Sequence, residues 1–380
     1  MNKFYTKQHR FLNAIFLVAG TSIGASELGL PVALRHSGYL PAVVGMLGIY
    51  ICMLASGILL AKLFIGERQR NLPALFQKYL GGLGATLFNG SYFSLAFCLL
   101  VAYWSGIQSI LSSFHGGLFT LIVLLIAAIG IYYCLRHNFR LLYFFNTILT
   151  IGLILSFIFL VLASFRSSSL SLFHSTNWSQ LPSSLPLILC SFGYHQVIPM
   201  VCQQLDYDRR VINRALLAGT LFPLIFNIII LTIGFRLFST DELSEAARLG
   251  MPVFVLLKEH FHSNFFVYVG QCFSFFAIAT SLLGVSMALR GALYDIFEGQ
   301  KILQRSTELL IIFPLFIAIV KPQLFFTVLG LAGGIFGNLM AGLLPTTPFL
   351  KAGYFRFRYL LLWLAFVAVF VLECVNLCSS

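Results

Sequence analysis

The chain has 380 residues, of which 59% are hydrophobic and only 9% are charged, and its 24 lysines and arginines against 12 acidic residues give a net charge of +12. Water-soluble proteins carry about 25% charged residues, so this composition excludes a set of soluble domains and predicts a protein embedded in lipid over most of its length. The basic residues stand singly between apolar runs. Their surplus is therefore typical of topology signals and of contact with anionic lipid headgroups, and nucleic acid is not an expected partner.

Eleven apolar segments are candidates for membrane-spanning helices, which need about 20 mostly apolar residues. In chain order they are residues 11–34, 39–65, 86–113, 117–135, 141–165, 184–205, 212–236, 265–289, 307–320, 323–344 and 357–377. We number these segments spans one to eleven, and span nine is the shortest. The pattern predicts an all-α integral membrane protein in which residues 1–380 form a single transmembrane domain.

Span one follows Lys3, Lys7 and Arg10, as the apolar core of a signal peptide would. Its apolar run continues to Leu34 and includes Glu27, so we expect this segment to be retained as a membrane helix. With the N-terminus inside, eleven spans place 18 of the 24 basic residues on the cytoplasmic side. This asymmetry follows the positive-inside rule, and it predicts a cytoplasmic N-terminus and a C-terminus outside.

Small and polar residues interrupt spans one and six near the middle of the membrane. Span one reads Ala19-Gly20-Thr21-Ser22-Ile23-Gly24-Ala25-Ser26-Glu27 with Pro31 beyond, and span six reads Cys190-Ser191-Phe192-Gly193-Tyr194-His195-Gln196 with Pro199 beyond. Glycine weakens a helix and proline removes a backbone hydrogen bond, so we expect both helices to unwind there. Unwound backbone is tolerated in a membrane only where it is buried in protein or lines a cavity, and a matched pair of broken helices indicates a transporter site.

The two broken helices each begin a set of five spans, residues 11–165 and 184–344. Because five is an odd number, the second set must start from the opposite side of the membrane. The order of spans therefore predicts an inverted repeat of five plus five helices, with the last span, residues 357–377, outside it.

The predicted breaks expose backbone groups that suit the two charges of an α-amino acid. N–H groups around Ile23, Gly24 and Ala25 would face a carboxylate at the positive end of a half-helix. Carbonyl groups released near Ala19, Gly20, Ser191 and Phe192 would suit an ammonium group or a cation. The alternative is that the glycines only allow close packing between helices.

The longest outer loop, residues 237–264, contains a pattern typical of a helix start. Ser239 and Glu242 form an S-x-x-E capping box ahead of an acidic first turn, which predicts a short surface helix. This helix would cover an outer vestibule or would be a solvated loop helix with no gating role.

Three stretches resemble a known family, the hydroxy/aromatic amino acid permeases. They are Gly20-Thr21-Ser22-Ile23-Gly24-Ala25 followed by Leu28-Gly29-Leu30-Pro31, then Ser191-Phe192-Gly193-Tyr194-His195 with Ile198-Pro199, and finally the run from Phe275 to Val285. The likeness is strongest to the bacterial tyrosine-specific and tryptophan-specific permeases. It implies a leucine-transporter-like fold with interrupted helices one and six. It also implies proton-driven import at the inner membrane, with tyrosine as the first expected substrate and tryptophan as the second.

Four residues are candidates for coupling the solute to an ion. An acid within a membrane is costly, so Glu27 is a candidate proton carrier, with a structural pairing to Arg35 or to a hydroxyl group as the alternative. Family members usually have an apolar residue at the position of Glu27. His195 is a candidate proton relay or substrate contact, or a neutral histidine that satisfies a freed carbonyl.

Thr280 and Ser281 lie where, by resemblance, the sodium-driven relatives of this fold place a cation. Their hydroxyl groups could instead bond to their own helix. On span three, Tyr103, together with Asn89 and Tyr92, is a candidate to line the side-chain pocket.

Other functional classes lack their sequence signatures. There is no H-E-x-x-H, G-x-S-x-G or P-loop pattern, so we expect neither a membrane-embedded enzyme nor an ATP-driven pump. The eight cysteines include no C-x-x-C pair, and we expect no metal and no cofactor. Transport of serine, threonine or another small zwitterion, and coupling to sodium, remain alternatives.

Overall fold

The computed structural model describes residues 7–67, 72–113, 116–165, 175–253, 264–296, 300–351 and 357–379. Within these ranges every regular element is a helix. Helices satisfy their own backbone hydrogen bonds, which lipid cannot do, and the large apolar side chains left exposed on them suit a lipid environment. The all-helical architecture predicted from composition is therefore confirmed.

The described part of the first half of the chain contains six α-helices, and a 3₁₀ turn at Ala25–Gly29 separates the first two. They are α1 (Lys7–Ser22), α2 (Leu30–Leu34), α3 (Tyr39–Glu67), α4 (Leu72–Ser112), α5 (Gly117–His137) and α6 (Phe139–Ser164). Span one is thus built from α1, the 3₁₀ turn and α2, with a bend of 40° between its two parts.

The second half repeats the broken arrangement at its start. Its helices are α7 (Leu185–Cys190), α8 (Ile198–Gln204), α9 (Arg209–Leu237), α10 (Thr240–Leu249), α11 (Asn264–Ile296), α12 (Lys301–Ile312), α13 (Pro314–Val320), α14 (Phe325–Leu331), α15 (Leu344–Lys351) and α16 (Phe357–Ser379). The 3₁₀ turn His195–Val197 lies in the break of span six, between α7 and α8.

The number of membrane crossings follows from helix length and apolarity. In the described ranges nine helices are long and apolar enough to cross a membrane, or ten if the bent span one is counted as a single crossing. Predicted span nine corresponds to a shorter apolar stretch, Ser306–Val320, which is divided where Pro314 begins α13. The count of eleven crossings stays a prediction.

Span three begins earlier than the sequence indicated. Helix α4 starts at Leu72 rather than near residue 86, and it is divided at Gly81, whose φ of +76° lies in the left-handed region that favours glycine. The Tyr79 hydroxyl donates to the Glu67 carboxylate at 2.9 Å, and Lys78 forms an ion pair with the same carboxylate. These contacts hold the first part of α4 against the end of α3.

The surface helix predicted in the outer loop is present as α10. The Ser239 hydroxyl accepts the Glu242 N–H at 3.3 Å, and the Glu242 carboxylate accepts the Ser239 N–H at 2.7 Å, which is the predicted capping box. The Arg35 side chain donates to the Ser244 hydroxyl at 3.0 Å, so α10 packs against the end of span one.

Span ten contains a feature that the apolar pattern of its sequence did not indicate. Between α14 and α15 the chain forms two π-helical segments, Ala332–Gly337 and Leu339–Leu343, which are rare inside helices and frequent at functional sites. Gly333 and Gly334 approach α7 so closely that a side chain on either would overlap Pro186 or Cys190. The bulged part of span ten therefore packs directly against the broken span six.

Candidate functional site

The break in span one lies between Ser22 and Ala25. Helix α1 ends at Ser22, Gly24 is extended with φ −155° and ψ −152°, and the 3₁₀ turn starts at Ala25. The Ile23 N–H donates to the Ala19 carbonyl at 3.0 Å. The sequence had predicted that the Ala19 carbonyl is released. It is not released, because one more helical hydrogen bond forms before the chain unwinds.

Glu27 caps the second part of span one, to which it itself belongs. The Gly24 N–H donates to Glu27 Oε2 at 2.8 Å, and the Glu27 side chain is buried, with an exposure of 1%. The prediction that the N–H groups of Ile23 and Gly24 are free is wrong, because the Ala19 carbonyl accepts the first and the Glu27 carboxylate accepts the second.

The break in span six is held by side chains of neighbouring helices. The Ser191 hydroxyl donates to the Ile188 carbonyl at 2.7 Å and accepts a hydrogen bond from Asn227 of α9 at 3.0 Å. These bonds replace helical backbone hydrogen bonds that are lost where α7 ends, so polar groups of the break are satisfied in this conformation.

Three aromatic residues of this break are packed into the protein core. The Tyr194 hydroxyl donates to the Met53 carbonyl of α3 at 3.1 Å, and the His195 ring lies 4.6 Å from the Tyr194 ring, centroid to centroid. Phe192 packs on Tyr50 at 6.1 Å. All three side chains are buried, and none lines the cavity that lies between the two breaks.

A cavity lies where the two breaks meet, and we call it the central cavity; its empty space, including the part open to solvent, is about 580 Å³. It is lined by Thr21, Ser22, Gly24, Ser26, Met53, Leu95, Leu99, Tyr103, Leu189, Cys190, Gly193, Gln196, Val285, Ala332, Gly337, Met340 and Ala341. Most of these side chains are apolar, and a few polar groups from spans one, three and six converge among them.

The central cavity contains only part of the predicted site. Thr21, Ser22, Gly24, Gly193 and Tyr103 line it. The predicted residues that do not line it are Ala19, Gly20, Ile23, Ala25, Ser191, Phe192, Tyr194, His195, Asn89 and Tyr92. Sequence reasoning missed the contribution of span ten, although its run of glycines from Gly330 to Gly337 is a signal of the same kind as those in spans one and six.

A second, smaller cavity, with room for about one water molecule, lies on the other side of span one, and we call it the Glu27 cavity. It is lined by Ile23, Gly24, Glu27, Leu28, Leu153, Phe226, Phe273, Ala277 and Thr280. The Thr280 hydroxyl donates to the Phe276 carbonyl at 2.8 Å, and the Ser281 hydroxyl donates to the Ala277 carbonyl at 2.8 Å. Both hydroxyl protons are used within α11, which leaves only their oxygen lone pairs to face a cation.

The structure brings three of the four coupling candidates together. Glu27 and Thr280 line one cavity, and the Ser281 oxygen lies 3.1 Å from the point that a Cβ atom on Gly24 would occupy. Arg35 does not pair with Glu27, because its side chain donates to Ser244 and to the Val32 carbonyl. His195 is outside both cavities.

Comparison with known proteins matches nearly the whole chain. The model of the tryptophan/tyrosine permease family matches residues 7–362. The tyrosine-specific transport system 2 of Haemophilus influenzae is 25% identical over 86% of this chain and 84% of its own length. The tryptophan-specific transport protein of Pseudomonas aeruginosa is 27% identical over 86% of this chain and 83% of its own length.

The fold also matches solved structures. The crystal structure of MhsT in complex with L-phenylalanine superposes with a TM-score of 0.59 and covers 96% of this chain and 97% of that chain, at 15% identity. At this identity the match supports the fold alone. It agrees with the leucine-transporter-like architecture that the broken helices had indicated.

Proposed function

Because the chain belongs to the tryptophan/tyrosine permease family, we propose that it imports an aromatic amino acid across the bacterial inner membrane by proton symport. Tyrosine is the first expected substrate and tryptophan the second. The central cavity carries the proposal, because it lies at the meeting point of two broken helices and has the mainly apolar lining that suits an aromatic side chain.

In this proposal the two ends of the substrate bind different parts of the central cavity. The amino and carboxyl groups bind the backbone and hydroxyl groups of span one and span six, around Thr21, Ser22, Gly24 and Gly193. The aromatic ring lies among the apolar residues of spans three and ten, with the Tyr103 hydroxyl near the boundary between the two parts.

Transport then follows from movement of the two inverted repeats, residues 11–165 and 184–344, around this fixed site. The broken helices supply the bending points, and the substrate is exposed to one side of the membrane at a time. The N-terminus lies in the cytoplasm and the C-terminus outside, and the proton moves inward with the substrate.

Uptake by proteoliposomes tests this function. We expect the purified protein to accumulate labelled tyrosine when the outside is made acidic, and not when a sodium gradient alone is imposed. Tryptophan should compete with tyrosine, whereas serine in the same excess should not. Absence of amino acid accumulation under either gradient would contradict the proposal.

A pair of variants on α4 tests the location of the site. Tyr103 lines the central cavity and Tyr92 does not. Loss of one hydrogen bond costs about 0.5–1.5 kcal/mol. Tyr103→Phe should therefore raise the tyrosine concentration that gives half-maximal uptake by roughly two- to tenfold. Tyr92→Phe, the matched control on the same helix, should leave uptake unchanged.

Two alternatives make different predictions in the same assay. A transporter of serine, threonine or another small zwitterion would accumulate serine and would not discriminate in favour of aromatic side chains. A sodium-coupled symporter would respond to the sodium gradient, with the oxygen atoms of Thr280 and Ser281 as candidate cation ligands.

A further inference from the structure

Glu27 occupies a position between the two cavities. Its carboxylate lines the Glu27 cavity and accepts the N–H of Gly24 at 2.8 Å, and Gly24 itself lines both cavities. Gly24 follows the end of α1 at Ser22 and directly precedes the 3₁₀ turn that starts the second part of span one. The donor that a substrate carboxylate would meet at this break is therefore already bonded to a carboxylate of the protein.

No described residue forms an ion pair with Glu27. Glu27 Oε1 is buried and has no hydrogen-bond partner among the described residues. The residues that line the Glu27 cavity from α6, α9 and α11 are Leu153, Phe226, Phe273, Ala277 and Thr280, none of which is ionisable. A buried carboxylate with one unsatisfied oxygen and no cation beside it is costly, so this site favours a change of partner or of protonation.

Only two other titratable groups line the central cavity close to this point, Tyr103 of α4 and Cys190 of α7. A phenol and a thiol ordinarily titrate near pH 10 and 8.5, above the range in which a carboxyl group changes its charge. In the described residues of the two linings, Glu27 is thus the group that can respond to a proton arriving from the acidic side.

We propose that the Glu27 carboxylate takes the place of the substrate carboxylate on the Gly24 N–H, and that protonation of Glu27 frees this N–H for the substrate. The inference rests on the proposed function and specifies how its coupling works. A proton binds to Glu27, and the hydrogen bond from the Gly24 N–H to the charged oxygen breaks. The substrate carboxylate then accepts the same N–H.

Release reverses these steps. On the cytoplasmic side the proton leaves Glu27, and the restored carboxylate returns to the Gly24 N–H and displaces the substrate. One N–H cannot serve two carboxylates, because two like charges at hydrogen-bonding distance repel each other strongly. One proton therefore enters with each amino acid.

Equilibrium binding of labelled tyrosine to the protein in nanodiscs, measured between pH 5.5 and 8.5, tests the exchange. Apparent affinity scales with the fraction of protein in the binding-competent state. For the wild type we expect the dissociation constant to rise by up to about tenfold per pH unit once Glu27 is mainly deprotonated. Glu27→Gln and Glu27→Leu should bind tyrosine at pH 8.5 as tightly as at pH 5.5.

Proton uptake gives a second readout that a purely structural role would not change. In weakly buffered solution at alkaline pH, the wild type should take up about one proton for each tyrosine bound, and Glu27→Gln should take up none. Glu373→Gln is the matched control, because Glu373 is also buried in a membrane helix but packs against Gly330 and Gly334 outside both cavities. It should retain the wild-type pH dependence.

The outcomes separate this inference from the proposed function. If Glu27→Gln keeps the wild-type pH slope and proton uptake, the exchange is wrong while tyrosine transport stands. The exchange is also wrong if Glu27→Gln keeps the wild-type melting temperature but binds tyrosine at no pH, because removal of a competitor cannot abolish binding. If the wild type binds no amino acid, the proposed function fails and the exchange fails with it.

Discussion

Gly57 lies on α3 where the side chain of Tyr194 crosses this helix. A Cβ atom on Gly57 would overlap the Tyr194 ring, and the hydroxyl group of that ring donates to the Met53 carbonyl one turn earlier. The Tyr194 ring therefore packs in the space left by the absent side chain of Gly57, and its hydroxyl group is bonded to a backbone carbonyl. This arrangement gives Tyr194 a packing role and places it outside the substrate contacts that the sequence had predicted.

The substitution Gly57→Ala tests this role. Overpacking of a well-filled core costs about 1–3 kcal/mol, so we expect a lower melting temperature in detergent. Unfolding is measured by the reaction of the buried cysteines with a fluorescent maleimide. Gly48→Ala on the same helix is the control, because nothing lies within 4 Å of the added Cβ atom. Equal melting temperatures for the two variants would show that Tyr194 moves aside without cost.

The sequence allowed the chemistry of single residues to be predicted better than their partners. Gly24 and Tyr103 were predicted as site residues from their type and position, and both line the central cavity. The bond between Gly24 and Glu27 was not predicted, since it requires the 3₁₀ geometry that brings residue 27 back onto residue 24. His195 looked functional in the sequence, yet packing on Tyr194 takes it away from both cavities.

At the scale of elements, the two broken spans are joined at the predicted cytoplasmic end. Arg10 near the start of α1 forms an ion pair with Asp206, which follows α8, with 2.8 Å between nitrogen and oxygen. The Gln204 side chain donates to the Arg10 carbonyl at 3.1 Å. These contacts join the start of span one to the end of span six, which the predicted topology places on the cytoplasmic side.

We expect loss of this ion pair to open the inner side of the central cavity more often. A partly exposed pair contributes about 0.2–1 kcal/mol, so Asp206→Asn should raise the rate at which a thiol reagent modifies Cys190, measured by peptide mass spectrometry, by up to about fivefold. Asp208→Asn is the control, because Asp208 instead accepts the backbone N–H groups of Arg210 and Val211. An unchanged Cys190 rate in Asp206→Asn would mean that the pair does not restrain the inner end.

Elements were predictable where a residue type dictates the backbone. Glycine and proline marked the breaks in spans one and six, and the capping box marked the start of α10. The glycines of span ten are a signal of the same kind, but the π-helical geometry could not be predicted from them, because it accompanies close packing of Gly333 and Gly334 against α7. The early start of α4 was hidden for a related reason, since its first part is amphipathic rather than uniformly apolar.

At the scale of the whole molecule, the orientation of the chain is the prediction most easily tested. The described cysteines are all free, and Cys378, near the end of α16, is exposed. With eleven crossings and a cytoplasmic N-terminus, this thiol lies outside the cell membrane. Charge counting gives this expectation only together with the count of eleven crossings, which depends on the short span nine.

A membrane-impermeant maleimide added to intact spheroplasts should therefore label Cys378. The signal should disappear in Cys378→Ser, and permeabilisation should not increase it. Cys272 is also exposed, but it lies within the apolar helix α11, where a charged reagent dissolved in water does not reach it. Labelling that requires permeabilisation would mean that the C-terminus is cytoplasmic and that the number or direction of crossings must be revised.

Gly24 lines both the central cavity and the Glu27 cavity, so the same residue borders both sites. A ligand bound in either cavity changes the hydrogen-bond partners and the local electric field that a ligand in the other cavity meets. Thermodynamic reciprocity requires that each alters the binding free energy of the other by the same amount. The coupling proposed for Glu27 therefore needs no signal relayed through distant helices, because the proton and the substrate both act on the hydrogen bond of the Gly24 N–H.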